Sequence, residues 1–215
     1  MKASLLLIAV TLCAAINSAH ANLSHANPTN ANSPMEWKFR VFLDEREIGF
    51  HDFRVSDLGA TRQVEVQASF DVRFLFVSAY RYRHQNIETW DNNCLLKLES
   101  STNDNGASLR VAGTVQHDAF LVRTDSGQSE LGPCPMSFAY WNPEFLKAKT
   151  LLNAQTGILE RVTVTPRGEE TIAYGGEDLR ANRYDLSVQG REISLWYGLE
   201  DQRWLALQTL SLIHI

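Results

Sequence analysis

The clearest alternation in the chain runs from residue 61 to 84. Val64, Val66, Ala68, Phe70, Val72, Phe74, Phe76, Tyr80, Tyr82 and His84 share one parity, while Glu65, Gln67, Asp71, Arg73, Arg81 and Arg83 share the other. A period of two puts each set on one face of a pleated strand, whereas a helix would scatter both sets around its axis. The stretch exceeds an ordinary strand length, so it reads as two strands or one strongly bent strand, breaking near Asp71 or Ser78. A face this continuous needs a core or cavity on one side and water on the other.

The rest of the chain repeats the pattern. Trp37, Phe39, Val41 and Leu43 alternate with Lys38, Arg40 and Asp44, and Asp44-Glu45-Arg46 turns the chain into a second run over 47–55, where Gly49 marks a bulge or a close approach. Further strands are expected at 87–90, 94–101, 107–115, 118–123, 158–165, 169–174, 180–189, 192–198 and 203–210, divided by polar or glycine-containing turns. Asn105-Gly106 is a hairpin dipeptide, because both residues tolerate positive φ. One short helix is expected from Asn142-Pro143-Glu144 to about Lys149: Asn caps, Pro fits the first helical position, and a carboxylate there suits the dipole. The fold class expected is mostly β, a single-domain antiparallel curved sheet or open barrel with one or two short helices.

The beginning reads as an export leader. Lys2 supplies the positive start, residues 5–15 form an apolar run too short for a bilayer core that needs about 20 residues, and Ala19-His20-Ala21 offers small-x-small cleavage before Asn22. Residues 1–21 are therefore expected to be a signal peptide, 22–35 a flexible linker rich in Asn, Ala, Ser and Pro, and 36–215 the β domain. A lipid-modified Cys13 is the alternative, disfavoured by bulky Leu12 before it. The expected location is the bacterial periplasm, with no transmembrane span in the mature chain. Cys94 and Cys134 then remain, and an oxidising compartment favours their pairing over two separately buried thiols. A bond would close a loop of about 40 residues and add about 4 kcal/mol in the chain-entropy model. The net charge of −5 and the lack of any Lys/Arg cluster argue against nucleic acid.

Trp37 with Phe39 and Val41, Ile48-Gly49, Tyr80-Arg81-Tyr82 with His84, Glu88-Thr89-Trp90 and Asn103-Asp104-Asn105-Gly106 form one set of marks. Tyr140-Trp141-Asn142, Leu152-Asn153 with Thr156-Gly157, Ala181 with Arg183-Tyr184, and Leu195-Trp196-Tyr197 followed by Trp204 continue it. Together, over about 37–208, they resemble a bacterial exported family, domain of unknown function 6134. More distantly, a β meander ending in a Trp-Tyr hairpin is similar to periplasmic half-barrel lipoprotein carriers, which implies a curved sheet holding acyl chains under a helical lid. The end departs from the pattern: residues 210–215 resemble translated sequencing-adapter read-through, which leaves open whether 209–215 are native and whether the native end lies beyond about 208.

Catalytic motifs are absent: no Gly-x-Ser-x-Gly elbow, phosphate loop, dinucleotide fingerprint or HExxH occurs. His84, Glu88 and Asp91 sit within eight positions and His84 and Glu88 are the best candidates for acid/base work, but on one extended strand these two lie about 13 Å apart, beyond direct hydrogen bonding, and pairing with Arg81, Arg83 or neighbouring backbone is the competing account. No metal or cofactor is expected, since two thiols without histidines at ligand spacing do not make a zinc site. The candidate ligand-binding residues are Phe70, Phe74, Phe76, Tyr80, Tyr82, Trp90, Trp141 and Trp196, whose rings combine contact area with polar handles; plain core packing is the competing account. The leading expectation is a non-enzymatic binding shell for a lipid or another apolar small molecule. An envelope structural or assembly protein, or an enzyme using His84 and Glu88, are the alternatives, and any protein partner is unknown.

Overall fold

The computed structural model describes residues 34–43, 46–74, 77–174 and 176–210, with backbone only at 74, 77, 78, 209 and 210. The expected leader, nearly all of the linker, the tail 211–215, Phe76 and the side chain of Phe74 lie outside the described residues.

Eight strands form one antiparallel meander in sequence order: β1 (Met35–Leu43), β2 (Arg46–Asp57), β3 (Arg62–Phe74), β4 (Val77–Asp91), β5 (Cys94–Asp104), β6 (Ala107–Gln116), β7 (Ala119–Thr124) and β8 (Gly127–Leu131). After an irregular strap, residues 132–142, and a 3-10 helix, Pro143–Lys147, come β9 (Thr150–Leu152), β10 (Leu159–Tyr174), β11 (Glu177–Val188), β12 (Arg191–Gly198) and β13 (Trp204–Leu210). These five make a second antiparallel sheet in the order β13-β12-β11-β10-β9. The two sheets share one core and do not close into a barrel. Met35, expected in the linker, opens β1.

The long alternating stretch is two strands, as its length requires. β3 and β4 pair from Arg62↔Trp90 to Phe74↔Val77. The separate strand expected at 87–90 does not exist; it is the end of β4, where burial goes on alternating from His84 to Trp90 although Asn86 and Glu88 stand on the buried side and Ile87 on the exposed one. The expected strands 158–165 and 169–174 are likewise one, β10, interrupted by a bulge between Pro166 and Gly168 where proline cannot donate to the ladder. Two strands without a sequence signal appear, β8 and β9. The helix begins where expected, with Asn142 Oδ1 accepting from the Glu144 N–H at 3.1 Å, but it is a single 3-10 stretch ending at Lys147.

Two local predictions are realised by backbone geometry. Asn105 and Gly106 have φ of 50° and 97°, the left-handed pair a tight hairpin demands. Gly49 is a close approach: with φ of 153°, a Cβ there would lie 1.8 Å from the Ser69 carbonyl oxygen, so only glycine lets β2 meet β3 at that point.

Trp204 sits at the centre of the inter-sheet packing. It is 1% exposed, its carbonyl accepts from Trp37 Nε1 at 2.8 Å, and its ring meets Phe39, Phe53 and Tyr140 at centroid distances of 4.7, 5.0 and 5.3 Å. The strap is held at several points. Cys134 is bonded to Cys94 with Cα atoms 4.4 Å apart, Tyr140 O accepts from Tyr197 OH at 2.7 Å, and Asn142 Nδ2 donates to Asn93 Oδ1 at 3.0 Å. Among the described residues no helix is long and apolar enough to cross a membrane, a statement that does not extend to strands.

Candidate functional site

The alternation of β3 and β4 has a direct spatial consequence. Register aligns Gly49, Phe70, Tyr82 and Asp104 in one row across β2–β5; His51, Ala68, His84 and Thr102 in the next; then Phe53, Val66, Asn86 and Ser100; then Val55, Val64, Glu88 and Leu98. The inner side of this wall is apolar on β3 and increasingly polar along β4. It faces a cavity of about 280 Å³. Opposite stand Phe138, Tyr140 and Trp141 of the strap, Ala154 and Gln155 of the β9–β10 loop, and Val188, Ile193 and Leu207 of the second sheet.

Each cover is tied down by side-chain chemistry. In the loop, Asn153 Oδ1 accepts from the Gln155 N–H at 2.8 Å, and Gln155 Oε1 in turn accepts from Tyr82 OH at 3.0 Å. Ser100 OH donates to the Ala154 carbonyl. From the strap, Ser137 reaches Glu88. Tyr80 OH donates to Asp104 Oδ1 at 2.7 Å at the far end of the wall.

The polar groups on the wall are buried. Glu88 is 3% exposed and accepts three hydrogen bonds, from Asn86 Nδ2 at 2.9 Å, Trp90 Nε1 at 2.9 Å and Ser137 Oγ at 3.1 Å. Burial raises its pKa, and the three donors pull the other way. His84 shares a hydrogen bond of 2.8 Å between Nδ1 and Thr102 Oγ1, and burial lowers its pKa to about 4. His51 packs against Phe53 with centroids 4.4 Å apart and the rings tilted by 39°, and burial, helped by the nearby His84, lowers its pKa to about 3. Both imidazoles are neutral at neutral pH. Three buried polar atoms at the cavity have no hydrogen-bond partner: His51 Nδ1, Asn86 Oδ1 and Trp141 Nε1.

Of the residues singled out from sequence, Phe70, Tyr80, Tyr82 and Trp141 line the cavity, as do His84 and Glu88. Trp90 is on the same inner face of β4, one position beyond Glu88 in the alternation, but is buried in the shared core outside the cavity lining, where it donates to Glu88 Oε2 at 2.9 Å and meets Trp141 edge-on at 5.7 Å. Trp196 does not reach the cavity: it packs with Ile172, Ala181 and Leu205 and donates to Glu170 Oε2 at 2.9 Å. Sequence reasoning missed His51, Asn86 and Gln155. The first two were within reach, since His51 shares parity with Phe53 and Val55, and Asn86 lies between His84 and Glu88 on the same face. Gln155 carries no such signal.

No hydrogen bond joins His84 to Glu88, which are separated on β4 by Asn86, and Ser137 and Ser100 spend their hydroxyls on Glu88 and Ala154. Among the described residues no three His, Cys, Asp or Glu side chains cluster as a metal site.

Comparison with known proteins adds a fold and a family. No curated protein matches the chain. The crystal structure of a beta-barrel-like protein of domain of unknown function DUF1849 from Brucella abortus is similar over 82% of this chain and 93% of that one, with a TM-score of 0.51 at 9% identity. At that identity the likeness speaks for the fold alone. The model of the domain of unknown function DUF6134 matches residues 39–213, most of the chain, and this protein therefore belongs to the DUF6134 family.

Proposed function

We propose that this protein is a non-enzymatic binding shell for a lipid or another apolar small molecule, working in the periplasm after loss of its leader. The observation that carries the reading is the cavity itself. About 280 Å³ of space lies between the two sheets, walled by Val64, Val66, Phe70, Phe138, Tyr140 and Leu207, just below the range of about 300–1,000 Å³ usual for ligand pockets. A well-packed core leaves few voids larger than a water molecule, so space of this size beside aromatic rings supports a ligand more than a core. The cover is the disulfide-anchored strap instead of the helix. The 3-10 helix lies behind it, with Phe145 edge-on to Tyr140 at 5.5 Å. The export reading is supported by the leader pattern and by a Cys94–Cys134 bond of the kind that persists in oxidising compartments.

The enzyme alternative rests on His84 and Glu88 facing one cavity. It is weakened because Glu88 spends both oxygens on three donors and His84 Nδ1 pairs with Thr102 Oγ1. The assembly alternative needs an exposed apolar patch; among the described residues Met35, Phe50, Ile87 and Val115 sit on four different strands, Leu58 follows β2, and the chain neighbours Ile158 and Leu159 stand together at the start of β10. Phe50 stands beside Arg40, and Ile87 stands between Glu65 and Glu99 in the ladder.

Native mass spectrometry of the freshly purified exported protein tests the reading. A co-purified apolar mass, lost on denaturation, is the expected result. A bare protein mass, together with no thermal shift from any apolar probe, would sink it.

A further inference from the structure

We propose that the cavity selects an uncharged ligand whose head is a hydroxyl or an amide, and discriminates against an ionised carboxylate. The inference rests on the binding-shell reading and concerns the chemistry of its ligand.

Three polar atoms at the cavity lack partners, and their roles are defined by their neighbours. Trp141 Nε1 can only donate. Asn86 must turn its NH₂ toward Glu88 Oε1, 2.9 Å away, because a carboxylate accepts and cannot donate. Its Oδ1 is thereby committed as an acceptor. His51 Nδ1 belongs to a neutral imidazole and takes either role according to tautomer. The residues lining the cavity thus carry one donor, one acceptor and one adaptable nitrogen, each closed off from water in the structure, with Asn86 4% and Trp141 8% exposed, so a ligand head meets them through a small side-chain shift. Leaving such atoms unmatched costs about 1–3 kcal/mol each, so a ligand that completes them gains selectivity over one that does not.

A hydroxyl donates once and accepts twice, and an amide carries both functions. A carboxylate only accepts, so it satisfies Trp141 and leaves Asn86 Oδ1 facing another oxygen. Charge points the same way. Glu88 and Asp104 contribute carboxylates to the lining, and the one cation among the described lining residues, Arg191, faces Glu160 Oε2 at 3.9 Å. An incoming anion therefore meets negative charge with no free counter-ion. Size bounds the rest: at about 30 Å³ per water-sized group, the cavity takes roughly nine or ten non-hydrogen atoms.

The test uses matched probes on the purified mature chain: 1-octanol, octanamide and sodium octanoate, with toluene as an apolar control. They are titrated by calorimetry and tryptophan fluorescence at about pH 7.5, where a carboxyl is ionised. The alcohol and amide are expected to bind about tenfold or more tighter than octanoate. Trp141→Phe, which keeps the ring against Trp90 but removes the donor, should narrow the gap between octanamide and toluene. Octanoate binding as well as octanol, or better, overturns the inference and leaves the shell standing. Binding of none of the four, toluene included, overturns the shell and the inference with it. The wild-type series alone decides, so a poorly folding Trp141→Phe does not matter.

Discussion

Ser137 Oγ lies 3.1 Å from Glu88 Oε2, a hydrogen bond that spans 49 positions and fastens the strap to the sheet. It is one of three donors converging on a single buried carboxylate, so the strap's position depends on an acceptor supplied by β4. Glu88→Gln replaces one acceptor oxygen with a donor. Trp90 can only donate, so the Gln oxygen must stay toward Trp90 and Ser137 while the new NH₂ faces Asn86, whose amide has to turn over to accept it, and all the remaining bonds lose their charged acceptor. A loss of about 1–3 kcal/mol in urea unfolding is expected, against about 1 kcal/mol for Ser137→Ala. Equal stability of Glu88→Gln and wild type would show that the carboxylate is not the organising acceptor.

Acid sensitivity follows from the two cavity histidines. Their folded pKa values, about 3 for His51 and about 4 for His84, lie below the unfolded value near 6.5. Unfolding therefore takes up protons that the fold refuses. The stability that comes from keeping them neutral is complete above about pH 6.5 and is lost as pH falls toward 4, by up to about 1.4 kcal/mol per pH unit for each histidine. The two titrate as a pair, since His84 adds to the lowering at His51. Glu88 opposes them: its raised pKa means that the fold holds a proton more readily than the unfolded chain, which favours the fold as pH drops. Melting temperatures measured between about pH 7 and 4.5 should fall for wild type and fall less for His51→Leu/His84→Gln. Parallel slopes would remove the histidines as the cause.

The disulfide joins the β4–β5 turn to the start of the strap across a separation of 40 positions. Replacing both cysteines by alanine should cost up to about 4 kcal/mol, and because the strap carries Phe138, Tyr140 and Trp141 into the cavity, probe binding should weaken as well. Chemical denaturation and thiol titration measure both parts. Two free thiols in the native exported protein, or a loss under about 1 kcal/mol in the double variant, would contradict the account.

What the sequence made readable was periodicity, and what it hid was anything without it. The parity of β3 and β4 announced the inward set Val64, Val66, Ala68, Phe70 and Tyr80, because a sheet with one buried face cannot tolerate a slip of one residue. β8, with four of its five residues fully exposed, has no buried face and exists only through pairing with β7. β9 is three residues long, too short for any period. The capping chemistry of Asn142-Pro143-Glu144 identified a start but carries no information on length, so five residues of 3-10 helix stand where a longer helix was expected. Trp196 illustrates the limit for the site. β12 is buried on both faces, so Leu195 and Tyr197 enter the shared core while Trp196 points to a separate cluster. Aromatic character alone does not say which.

The most direct separation of cavity from core is to fill the space. Ala68 lies at the middle of the wall, in the row between His51 and His84, and its methyl group faces the cavity. In a packed interior Ala68→Leu would overpack and cost about 1–3 kcal/mol. Here the added carbons enter existing space and bury apolar surface, so the variant should be as stable as wild type or slightly more so. It should also lose most of its capacity for octanol and toluene, since three of the roughly ten atoms the cavity holds are then occupied from within. Strong destabilisation of Ala68→Leu would mean that the wall is packed against its neighbours in solution and that the space is not kept for a ligand. Unchanged probe affinity would mean that the probes bind elsewhere.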